Sequence, residues 1–232
     1  MDNFLIANIV MQLLIGLSLF LASHFMSRIF ENKKNDDPYF WICMLLFSIS
    51  PSLYGYLLYK LFPTSVDSYN SFLSGTIMIS VVGLLFSEKG YRKFSDTIIN
   101  RNTVAAISVL LVAVFIYFSA IDSEDLSYYS LTTLQYYGST GQFLSVAVYP
   151  MILLTALILF LFRYSMSISV FAFYMLCQII DDLGHGAKDV FWLAKYDFDD
   201  IVSSLVVFGF HVISLIILLK ARKKYYLRIK AK

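Results

Sequence analysis

Asp181, His185 and Asp189 recur every four residues, the spacing that puts them on one face of an α-helix. A carboxylate, an imidazole and a second carboxylate in that order can hold a proton, a hydrated cation or a transition metal, and can act as general acid and base. These three residues are the metal set that the sequence offers, flanked by Asp182 and Lys188 and by the apolar Ile180, Leu183, Ala187 and Val190. No cofactor motif accompanies them, so no cofactor is expected beyond a bound cation. Gly184 and Gly186 argue against a rigid helix here, each costing about 1 kcal/mol relative to alanine. A helix end with solvated charges accounts for the same residues, and residues 181–194 read equally as the continuation of a helix or as an outer loop.

His211 stands apart. It lies in the middle of the apolar run 201–220, which Asp199 or Asp200 can cap, and an ionisable group at that depth should face a bundle interior or a wet cavity. With Asp182 and Lys188 it forms the candidate relay. Counting at the helical rise, His211 sits roughly 15 Å below the start of its run, while Asp182 lies roughly 28 Å along the axis from Arg163, at the outer boundary. The sequence therefore keeps His211 and the outer cluster apart. The same count separates His24 from His211 by roughly 15 Å of depth, which excludes haem ligation by that pair.

What must position these residues is a membrane. Of 232 residues 59% are hydrophobic and only 15% charged, more apolar than a soluble domain can bury. Apolar runs near 4–28, 39–62, 71–86, 104–121, 142–162, 164–182 and 201–220 approach the length needed to cross a hydrocarbon core about 30 Å thick. They lack the alternation of a barrel strand, so the expected class is an all-α integral membrane protein. A single polytopic domain of about seven transmembrane helices, 1–232, ends in a basic cytoplasmic tail, 221–232. The first run has no basic residue before it and no cleavage-site pattern, so it reads as a span and not as a signal peptide.

Charge sets the orientation. Seven spans put all 18 basic residues except Lys60, Lys188 and Lys195 on one side, which the positive-inside rule makes cytoplasmic, with the N-terminus outside. Of the 16 acidic residues, all but Glu31, Asp36, Asp37, Glu88 and Asp96 fall outside, where a negative face enriches cations. The tail carries Arg222, Lys223, Lys224 and Arg228 among tyrosines, as an interfacial helix on anionic headgroups would. Cys43 and Cys177 differ too much in depth for a disulfide. Pro51 and Pro150 fall inside predicted spans and should kink them; Ser48, Ser50 and Ser52 beside Pro51 can line a polar path or satisfy the freed carbonyl. Between 122 and 141 the segment "YYSLTTLQYY" suits a flat interfacial stretch.

The function that fits is passage or carriage of a small solute or ion, a cation or proton, with the outer acidic cluster as mouth and alternate protonation of His211 as gate. A receptor or sensor, or a membrane component of a toxin, immunity or defence system, signalling through the basic cytoplasmic face, is the second reading. A metal-dependent intramembrane hydrolase using Asp181, His185 and Asp189 is the third, and an enzyme is less favoured. Expected partners are anionic lipid headgroups, the solute or ion, and either a second copy of the chain or a cytoplasmic protein, with no nucleic acid. The run 201–220 lacks the central lysine that a retinal Schiff base needs.

Overall fold

The computed structural model describes residues 3–31, 36–59, 67–87, 94, 149–191 and 198–231, and every regular element among them is an α-helix. In chain order these are α1 (Asn3–Phe30), α2 (Asp37–Tyr59), α3 (Asp67–Ser87), α4 (Tyr149–Leu161), α5 (Ser167–Phe191) and α6 (Phe198–Lys230). Each helix packs on its neighbours in chain order, and α6 closes the ring against α1. The expected span 104–121 and the tyrosine-rich stretch after it lie outside the described residues.

Local sequence explains the boundaries. α2 opens on "DDP": Asp37 supplies negative charge to the helix N-terminus, and Pro38 occupies the first turn, where its missing N–H costs nothing. The same helix runs on through Pro51 to Tyr59. Pro150, expected to kink a span, stands in the first turn of α4 as described. α4 ends in a Schellman closure: the Tyr164 N–H donates to the Leu159 carbonyl at 2.9 Å and the Arg163 N–H to the Phe160 carbonyl at 3.0 Å. That closure needs a left-handed residue, usually glycine, and here it is Arg163 with φ 61°.

Two runs differ most from the sequence reading. The sixth run does not stop at 182, because α5 continues through both glycines to Phe191, packed along α6. The weak helix propensity of two glycines is a small cost that tertiary contact overrides. The seventh run extends at both ends into a helix of 33 residues, about 50 Å long, so the tail is a straight continuation of α6.

Apolar side chains cover exposed faces as well as the core. Tyr39, Ile42, Leu46 and Ile49 form an exposed stripe on α2, as do Phe173, Leu176, Ile180 and Leu183 on α5, at the three- and four-residue steps of one helix face. α3 exposes Met78, Val81, Val82, Leu85 and Phe86. Meanwhile Ser18, Ser23, Ser48, Ser50, Ser80 and Ser214 are buried. Each donates to the carbonyl four residues back in its own helix. Among the described residues two helices are long and apolar enough to cross a membrane, Ile9–Phe30 within α1 and Leu205–Lys230 within α6.

The core is densest where α1, α4 and α6 end and α2 and α5 begin. Phe40 packs on Phe160 at 4.4 Å between ring centroids, Phe30 on Phe94 at 4.1 Å, and Tyr225 edge-on to Phe30 at 5.1 Å. This is the end at which Arg28, Arg163 and the basic residues of α6 lie. At the same level Gly83 of α3 lies against the Trp41 indole so closely that a Cβ there would overlap the ring.

Candidate functional site

His211 is 3% exposed, on the side of α6 that faces α5. Its Nδ1 lies 2.7 Å from Oδ2 of Asp182 on α5, whose side chain is 25% exposed. With its proton on Nδ1 the imidazole donates to the carboxylate, and Nε2 is left as an acceptor. Nε2 is buried and has no hydrogen-bond partner among the described residues. An acceptor buried without a partner is costly, of the order of 1–3 kcal/mol, so this nitrogen is the atom of the pair that calls for an occupant.

The contact corrects the depth argument from sequence, which kept Asp182 at the outer boundary and His211 far beneath it. That argument ended one helix at 182 and began the next at 201. In the structure α5 rises about 14 Å beyond Asp182 to Phe191, and α6 starts about 20 Å before His211. The antiparallel pair therefore overlaps over several turns, and both residues fall within the overlap. Of the three relay residues, Asp182 and His211 are brought together. The side chains of Lys188 and of the metal set Asp181, His185 and Asp189 lie outside the described residues, although α5 carries all four positions on one continuous helix. No group of three His, Cys, Asp or Glu side chains among the described residues is placed to hold a metal.

The close fit of α1 to α6 fixes the other side of the pair. Gly16 lets α6 approach: a Cβ there would stand 3.2 Å from Phe210 and 3.3 Å from Val207. Phe20 packs on Phe210 at 5.6 Å, and the Ser214 hydroxyl is spent on the Phe210 carbonyl. The serines beside Pro51 do not line a path through their donors either. Ser48 donates to Met44 and Ser50 to Leu46 within α2, while the side chain of Ser52 lies outside the described residues.

A second group of charges lies at the basic end. Arg28 Nε of α1 stands 2.7 Å from Asp36 Oδ2, just before α2, and the Arg163 guanidinium pairs with the Asp37 carboxylate. The Asp37 side chain is 5% exposed and that of Arg163 11%. The guanidinium carbon of Arg163 also lies 5.1 Å from the Phe160 ring centre and 5.5 Å from that of Phe94. Asp37 Oδ1, Arg163 Nη1 and the Ser167 hydroxyl are buried there without hydrogen-bond partners among the described residues. Sequence reading placed these charges on the cytoplasmic side and paired none of them. The signal was Arg163 itself, a single cation between the apolar runs 142–162 and 164–182, with no glycine, proline or asparagine beside it to make the turn.

On the outside of this end, Lys224 bonds Glu31 at 2.7 Å, and Arg222 lies 5.6 Å over the Tyr226 ring. Arg222, Lys223, Lys224 and Arg228 are all exposed. Cys43 and Cys177 are both free and buried.

Among the described residues the fold is an all-helical bundle with a buried His–Asp contact between α5 and α6 and a buried ionic cluster at one end. Compared with family models, with curated proteins and with solved structures, the chain matches none.

Proposed function

We propose that the chain is a multi-pass protein of the cytoplasmic membrane, with about seven spans and its basic end in the cytoplasm, and that it passes or carries a small solute or ion. What supports insertion is the distribution of polarity: long apolar stripes at helical spacing face outward while serines are buried. A water-soluble bundle with such faces would aggregate. Helices α3 and α4 both run toward the basic end, the parity that one further crossing between them requires, and 104–121 is the apolar run available for it.

The observation that carries the transport reading is the Asp182–His211 contact. A buried imidazole balanced by a carboxylate, with its second nitrogen unpartnered among the described residues, is a polar site held between two helices; intramembrane ionisable residues of this kind mark solute and ion pathways. In this reading Asp182 receives a cation or proton and His211 passes it on. The test is flux of protons, sodium and potassium into proteoliposomes, with wild type against His211→Ala, Asp182→Asn, and the combined replacement of Asp181, His185 and Asp189 by alanine. Loss of flux in the first two with folded protein retained is expected. The absence of flux above empty vesicles under every gradient refutes transport.

The receptor reading draws support from one feature, the exposed basic end of α6. Its prediction is opposite: charge reversal at Arg222, Lys223 and Arg228 abolishes the cellular output, while His211→Ala leaves it intact.

A further inference from the structure

We propose that the Asp37–Arg163 pair is a releasable latch that holds the α4–α5 hairpin against α1 and α2 at the basic end, with the turn at Arg163 as its hinge. The proposal rests on the membrane bundle argued above and not on the identity of anything carried.

Three observations converge on the turn. The pair joins positions far apart in sequence, the start of α2 and the α4–α5 connection, which Phe40 and Phe160 also bring together. Both side chains are largely buried, and a buried ion pair holds helices no more tightly than well-packed apolar residues of the same volume would. Arg163 adopts φ 61°, where glycine is the comfortable residue. A left-handed arginine persists only where its surroundings hold it, and here Asp37, Phe94 and Phe160 do so.

The mechanism needs no covalent step. In the latched state the guanidinium lies on the carboxylate and against the two rings. In the released state the Arg163 backbone relaxes toward an ordinary conformation, the α4–α5 turn swings outward, and the guanidinium and carboxylate become hydrated from the cytoplasmic side. Arg28–Asp36 remains closed on the α1–α2 side and fixes the frame against which the hairpin moves.

The experiment is a spin-label distance measurement on the full chain in nanodiscs, with Cys43 and Cys177 replaced by alanine and labels at the exposed Ile42 and Met166. Wild type is expected to give one narrow distribution. Asp37→Asn, which releases the charge, and Arg163→Ala, which removes the guanidinium and keeps the backbone strain, should add a longer population, displaced by about one helical turn, roughly 5 Å. The reversed pair, Asp37→Arg with Arg163→Asp, should return the distribution to the wild-type distance, since aspartate tolerates the left-handed backbone. Distributions for Asp37→Asn and Arg163→Ala that superimpose on wild type, with helical content retained, would make the pair a static brace and overturn the latch. A reversed pair that stays open overturns it as well. Where Arg163→Ala does not fold, Asp37→Asn carries the same decision. A wild-type chain that does not enter nanodiscs refutes the membrane reading itself.

Discussion

Replacing Arg163 by alanine should be the most damaging single change at the basic end, and its size follows from what it leaves behind. Asp37, with its side chain 5% exposed, loses its counter-charge. Removing one partner of a buried pair typically costs about 3–5 kcal/mol, because the other charge stays buried and uncompensated. The guanidinium also leaves the faces of Phe94 and Phe160, a loss of about 0.5–2 kcal/mol. Alanine at φ 61° keeps the same left-handed strain as arginine, so the backbone contribution cancels from the comparison. The expected total is about 3.5–7 kcal/mol, a fall of roughly 7–28 °C in Tm for a chain of this size.

Cys43 and Cys177 supply the assay, since both are free and nearly fully buried and react with a thiol-sensitive dye only on unfolding. Thermal and denaturant curves in detergent would be collected for wild type, Arg163→Ala, Asp37→Asn and the double variant. The double variant should be more stable than Arg163→Ala alone, with a coupling of about 2–3 kcal/mol from the cycle. A loss below about 1 kcal/mol for Arg163→Ala, or a coupling below about 0.5 kcal/mol, refutes the argument that these charges depend on each other.

Other expectations are simpler. Gly83→Ala drives a methyl into the Trp41 indole and should cost at least about 1–3 kcal/mol in the same assay, whereas Gly209→Ala, with nothing within 4 Å of the added carbon, should be neutral or gain up to about 1 kcal/mol. Equal effects at the two glycines would mean that α2 and α3 do not approach as described. His211→Leu should destabilise by about 1–3 kcal/mol by stranding Asp182, and Asp182→Leu in that background should recover part of the loss; no recovery argues against the contact. Breaking the exposed Lys224–Glu31 pair with Glu31→Gln should change stability by less than about 1 kcal/mol, and a larger loss would show that the tail is held more tightly than a surface pair can explain. Leu46→Arg, placed on the exposed stripe of α2, should impair membrane insertion, at about 2.5–3.5 kcal/mol for a charge at mid-span, and normal insertion in a protease-protection assay counts against a lipid-facing stripe.

The helical class was legible because apolar composition without strand alternation leaves no other architecture. The described helices overlap six of the apolar runs. Their ends were less legible, as expected where the decisive interactions are tertiary. Gly184 and Gly186 left 181–194 open between helix and loop, and α5 continues through both; nothing in "FLFRYS" advertises a Schellman turn when its usual glycine is an arginine. His211 was visible as an ionisable residue inside an apolar run. Its partner was not, because a depth count from a guessed helix end is wrong by as much as the guess. The basic-end cluster was hidden for another reason. Positive-inside counting treats each arginine as a surface label and gives acidic residues little weight, so Asp36 and Asp37 entered only as a count on the cytoplasmic side.

That difference bears on where polar groups matter in this bundle. The buried hydroxyls of Ser18, Ser48, Ser50, Ser80 and Ser214 turn back to carbonyls of their own helices, which satisfies their donors without tying one helix to another. They can be replaced by alanine at little cost to helix arrangement. The Asp182–His211 and Asp37–Arg163 contacts behave in the opposite way, because each takes its two polar partners from different elements and leaves one further polar atom on the histidine or arginine without a partner among the described residues. Such contacts are all or none: a small relative displacement of the helices breaks the bond outright and does not merely stretch it. The two contacts between elements therefore fix the register of the helices they join more sharply than the apolar seams do. His211 and Arg163 are therefore the positions at which a change in arrangement should first be visible, ahead of any serine or proline in the spans.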